Sequence, residues 1–214
     1  MPGDSNIEDR KLATDPLLRL ERYWRSLARP QKLPARGEID PNRIDDALPH
    51  SFILEKVAPG IGRMRVAGHA LRAELGMEPR GMPISAFFLP EARGALRMWL
   101  NQLWSVPALV DIPVHSSRAI GRPRASGRLL LLPLADEAGN TTRALGALVL
   151  DSPAGRSPRR LSIGPAESLR WEPAMQHMFA PRLVTEHDHA ILQGPVPRAA
   201  EEGRPHLKLV SSQG

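Results

Sequence analysis

Cysteine is missing from all 214 residues. Disulfides, thiolate metal sites, cysteine nucleophiles and any photochemistry that forms a cysteinyl adduct are thereby excluded. Aromatic residues are scarce, at 4%. No apolar run approaches the ~18 residues of a membrane span. One of the longest is Leu129 to Leu132, which reads as a buried strand. The first residues, Met1 to Lys11, are polar and carry both signs, without the order of a secretion signal. A cytoplasmic protein is the expectation. Phosphate loops, dinucleotide-binding glycine triplets and nucleophile elbows are all missing, so an enzyme is not expected.

What is present suffices for one core with residues to spare: 42% hydrophobic, 24% charged, 22 Pro and 17 Gly. The formal net charge is +6, and of 29 basic residues all but Lys11, Lys32, Lys56 and Lys208 are arginine. The excess is thinly spread. Its densest spots are Arg118, Arg122, Arg124 and Arg128, expected on a loop between strands, then Arg156, Arg159 and Arg160, expected on a linker. A nucleic-acid partner is not expected on this distribution; the Arg118 to Arg128 loop would be its site, with strongly salt-dependent binding.

Asp15 and Pro16 cap a first helix whose stripe is Leu17, Leu20, Trp24 and Leu27, ended by Ala28-Arg29-Pro30. That stripe either folds back on its own domain or pairs with the same helix of a second subunit. Asp40-Pro41 starts a short helix, Asn42 to Ala47. Ser51 to Ala58, the Pro59-Gly60 turn and Gly62 to Gly68 form a hairpin, with Met64 and Val66 on one face and Arg63 and Arg65 on the other. One face of the sheet looks inward; the other meets solvent or a covering arm. Short helices and turns follow to Pro90. A longer helix then runs to Ser105, burying Leu96, Trp99, Leu100 and Leu103. Three strands complete the pattern: Val110 to His115, with Pro113 marking an edge or bulge; Arg128 to Leu134; and Ala144 to Leu150. Strands grouped in runs between helices indicate an α+β fold with an antiparallel sheet.

Residues 23–151 resemble a bacterial PAS-like family, PAS domain type 5. The resemblance is carried by Tyr23-Trp24-Arg25, Leu33-Pro34-Ala35-Arg36, Ile39-Asp40-Pro41 and Leu48-Pro49. It continues through Ile53-Leu54-Glu55, Arg63-Met64-Arg65-Val66-Ala67-Gly68 and Leu75-Gly76-Met77-Glu78-Pro79-Arg80-Gly81. It implies a PAS-like five-stranded antiparallel sheet with helices on one face. The N-terminal helix and an extended C-terminal tail are added to that core. The expected division is a flexible N-terminus at 1–14, a PAS-like domain at 15–152, and a linker with a weakly structured extension at 153–214. Gly68 is expected to leave its strand at an unusual backbone angle, and Gly76 and Gly81 to do so in turns.

The resemblance also implies a sensory or protein-interaction module in signalling, often dimeric and often holding a small molecule between sheet and helices. The candidate ligand pocket is Met64, Val66, Phe87, Phe88, Trp99, Leu103, Leu130 and Leu148; the same residues could simply fill a core. The candidate dimer helix is Leu17, Leu20, Trp24 and Leu27. Some PAS domains take haem through a histidine on the long helix, but Glu91 to Ser105 has none. No cofactor is assigned. His187 and His189, with Asp188, Glu186 and His177, look like metal ligands or a polar patch, and no metal is assigned. The expected partner is another signalling protein, reached with or without a ligand. The alternative is a ligand-free adaptor whose C-terminal extension binds the partner.

Overall fold

The computed structural model describes residues 15–174. The expectations for 1–14, for the tail beyond 174 and for the His187/His189 cluster lie outside the described residues. The chain starts as the capping signals dictate. The Asp15 carboxylate accepts from the Leu17 N–H at 2.9 Å, and helix α1 runs Pro16–Leu27. Leu17, Leu20 and Trp24 are buried and Leu27 is half-buried.

The expected helix Asn42 to Ala47 does not form. The segment makes 3-10 turns at Arg36–Glu38, Pro41–Arg43 and Leu48–His50. Prolines at 41 and 49 leave too few residues to repay the nucleation of an α-helix.

The hairpin forms as read, from strand β1 (Ser51–Ala58) and strand β2 (Ile61–Ala67). One detail is corrected. Ile53 pairs with Val66 and Leu54 with Met64, so Arg65 is an extra residue in a bulge. The bulge turns Met64 and Val66 to opposite faces. Helix α2 (His69–Leu75) closes on Gly76 at φ +76°, a left-handed position suited to glycine. Helix α3 is Arg93–Ser105. Strands β3 (Ala108–Ser116), β4 (Ala125–Ala135) and β5 (Thr141–Leu150) follow.

The sheet is antiparallel, in order β2-β1-β5-β4-β3, with two further short strands on the outer edge of β3. These are β6 (Ser162–Ile163) and β7 (Arg170–Pro173), which make seven strands where five were expected. The sheet therefore runs past the boundary expected at residue 152. Pro113 shows how the edge accommodates both. Its carbonyl accepts from Gly164 N–H at 2.7 Å, so its missing donor faces the outer edge, between the stretches paired to β6 and β7.

Helices α2 and α3 cover the inner face over a core that includes Phe52, Leu54, Met64, Phe87, Phe88, Leu100 and Leu103. Helix α1 covers part of the outer face, against Leu130, Leu132, Leu145 and Ala147. Helices thus lie on both faces, with α1 as the covering arm. Trp24 anchors it: its indole N–H donates to the Pro133 carbonyl at 2.9 Å, buried.

Candidate functional site

Helix α1 rests on β4 and β5 and leaves the β1–β2 edge of the outer face bare. The segment after α1 folds over that edge and encloses a cleft of about 450 Å³. Its floor is Ile53, Val66 and Leu145 from the sheet; its wall is Ile39, Ile44 and Leu48 from the 3-10 segment. Val66 and Leu48, on its floor and wall, are 48% and 42% exposed. Arg36, Asp45 and His69 supply polar groups.

Gly68 holds the wall to the floor. A Cβ there would lie 2.2 Å from the Pro49 carbonyl oxygen and 2.3 Å from that of Leu48. Its backbone is ordinary and extended (φ −70°, ψ 161°), so glycine is required by close approach and not by the unusual angle expected. The Gly68 N–H donates to Ser51 O at 2.8 Å, and the Ser51 hydroxyl donates to Ala47 O at 2.7 Å.

The residues expected to line one pocket divide between the two faces. Met64, Phe87, Phe88, Leu103 and Leu148 meet in the inner core, with half-buried Trp99 packed against it. Val66 and Leu130 belong to the outer face. The bulge moves Val66; strict alternation moves Leu130, since Leu129 and Leu131 face inward and Leu130 and Leu132 outward. On α3 the deeply buried indole is Trp104, whose Nε1 has no hydrogen-bond partner among the described residues.

The candidate dimer stripe is also relocated. Leu17, Leu20 and Trp24 are buried against the protein's own sheet, leaving them unavailable to a second subunit while α1 is seated.

An ionic clasp beside α1 is a feature that hydrophobic patterning misses. Glu21, 7% exposed, receives Arg25 at 2.9 Å and Arg170 Nη1 at 3.1 Å. Arg25 reaches Glu172 at 2.7 Å, and Arg170 lies 3.8 Å from Asp111, which Arg128 contacts at 2.7 Å. Burial alone would raise the Glu21 carboxyl, but hydrogen bonds from Arg170 and Arg25 outweigh it and hold it below the ordinary value. The one sequence signal was the i, i+4 spacing of Glu21 and Arg25.

A second ion pair fixes the loop after β5. Arg159 is 1% exposed, and its Nε lies 2.8 Å from Glu74 on α2. Its other nitrogens donate to Ser116 Oγ at 3.2 Å, Ser152 Oγ at 3.3 Å and the Ala154 carbonyl at 2.9 Å. Burial pushes the Glu74 carboxyl up, and Arg159 opposes this without cancelling it. Ser116 is thereby a support for Arg159, and Asp111 a partner of Arg128. Among the described residues no three histidine or acidic side chains converge as a metal site.

A family model described as PAS domain matches residues 12–149. No curated protein matches the chain. Among solved structures it is similar to an RNA-binding light-oxygen-voltage receptor, at 18% identity and TM-score 0.38, over 54% of this chain and 35% of that one. It thus spans about a third of that receptor's length. It is also similar to the dark structure of the blue-light photoreceptor Aureochrome1 LOV, at 16% identity and TM-score 0.38, over 51% and 80% of the two chains. A light-oxygen-voltage domain studied with a flavin analogue gives 17% identity and TM-score 0.37, over 52% and 83%.

Proposed function

Because the chain belongs to the PAS domain family, we propose that it is a regulatory module that takes its input at the cleft beside α1 and passes it to another signalling protein, without catalysis. The observation that carries this reading is the composition of the cleft. Its floor belongs to the sheet and its wall to the segment leading from α1, so an occupant touches both. A small apolar molecule carrying a polar group fits a space of about 450 Å³ with Arg36, Asp45 and His69 among its lining residues. Its binding favours one seat of that wall on the sheet over another, which is the differential contact a switch requires. Among the described residues no helix is long and apolar enough to cross a membrane. The module works in the cytoplasm in this reading.

Native mass spectrometry of gently purified full chain tests it. A retained small molecule, lost in Val66→Arg, supports the cleft as the input. A clean apo mass in repeated preparations overturns it. A second reading, a ligand-free adaptor, is favoured by the fully buried Met64, Phe88 and Leu103 of the inner core. It predicts that clean mass together with undiminished partner binding in Val66→Arg.

A further inference from the structure

We propose that the end of the sheet where the β3–β4 loop meets the loop after β5 is a docking surface for an acidic protein segment with an apolar side chain at its centre. It is separate from the cleft, so either assignment can fail alone.

The two loops, residues 117–124 and 153–160, are joined to each other. Arg156 N–H donates to Gly121 O at 2.8 Å, and Arg159 Nη1 donates to Pro123 O at 3.4 Å. Arg122 donates to Pro158 O. Together they hold six arginines and no acidic residue. Arg159 is committed to Glu74. The other five, Arg118, Arg122, Arg124, Arg156 and Arg160, have no carboxylate at ion-pair distance among the described residues. Arg118, Arg122 and Arg124 line a cleft of about 450 Å³. Arginines gathered without a carboxylate among them call for an anion.

Ile120 decides which kind. It sits at the tip of the turn closed by Ala119 and Arg122, two hydrogen bonds of 3.0 Å, and is 89% exposed. An exposed apolar side chain on an arginine-rich turn suits a protein interface, where an apolar anchor is joined by charges that set partner and register. A nucleic-acid strand would need a longer basic track and rings to stack its bases; neither loop carries an aromatic residue. The partner therefore presents carboxylates on either side of an apolar side chain that packs on Ile120.

Fluorescence anisotropy on the full chain tests this. The probes are a labelled Asp/Glu-rich peptide with a central Leu-Leu pair, the same peptide with Ser-Ser, and a single-stranded RNA. Both variants alter exposed side chains, and unchanged melting curves verify their folding. The leucine peptide is expected to bind best, and the Arg118→Glu/Arg124→Glu double variant to weaken it at least ~10-fold. Ile120→Ser is expected to reduce its affinity to that of the Ser-Ser peptide. No binding of the acidic peptides, or binding indifferent to both variants, overturns the proposal. RNA bound more tightly than either peptide overturns it in favour of nucleic acid.

Discussion

The two faces of the sheet are finished in different ways. The inner face is closed by apolar side chains from α2, α3 and the turns between them. The outer face is closed over only part of its width, by α1, whose Leu17, Leu20 and Trp24 pack on the sheet and whose Glu21 and Arg25 join a set of ion pairs, and beside it an apolar cleft stays open. A face sealed by apolar packing resists rearrangement, because packed cores do not deform continuously. A single helix that covers only part of a face can shift at lower cost than a face covered throughout. The inner face therefore supplies stability and the outer face adjustability.

The largest expected effect comes from the inner face. Phe88→Ala empties a fully buried site and should cost about 3–5 kcal/mol by chemical denaturation. Arg159→Ala should come next, at about 2–3 kcal/mol, since it removes a buried guanidinium and leaves half-buried Glu74 without its cation. A loss below 1 kcal/mol for Phe88→Ala would mean that the inner face is not the stabilising one.

On the outer face, Glu21→Gln should cost about 1–2 kcal/mol at neutral pH, with partners that are partly exposed and retain Asp111 and Glu172. Its pH dependence has a definite sign. The carboxyl is held below its unfolded value, so its contribution is complete above that value and is lost as pH falls through the depressed folded one. The difference between wild type and Glu21→Gln should therefore shrink on acidification. A difference that grows instead would remove the clasp from the account. The smallest stability effect belongs to the cleft. Val66→Ser and Leu48→Ser, both substantially exposed, should stay within about 0.5 kcal/mol of wild type by thermal melting, while reducing retention of any bound molecule.

Local signals made much of this legible in the sequence. The Asp15-Pro16 start, the Leu17 to Leu27 stripe, the hairpin around Pro59-Gly60 and the long helix each follow from caps or periodicity within a few residues. The failures share a physical origin. The bulge at Arg65 depends on which residue of β1 faces which of β2, so no single-strand pattern could place Val66 on the outer face. Leu129 to Leu132 is buried on both sides and carries no alternation from which to assign Leu130. Strands β6 and β7 are too short for a period, and they form because β3 offers a bare edge. The role of Gly68 is set by carbonyls of residues 48 and 49, across the hairpin's base. The cleft itself is a gap between elements, which residue patterns do not encode.

Hydrogen–deuterium exchange of the full chain compares the two faces most directly, reading α1 against α3 in wild type and in Glu21→Gln. The account predicts that α1 amides exchange about 10-fold or more faster than those of α3, and that Glu21→Gln accelerates α1 while leaving α3 unchanged. Equal protection of the two helices, rising and falling together in the variant, would contradict it.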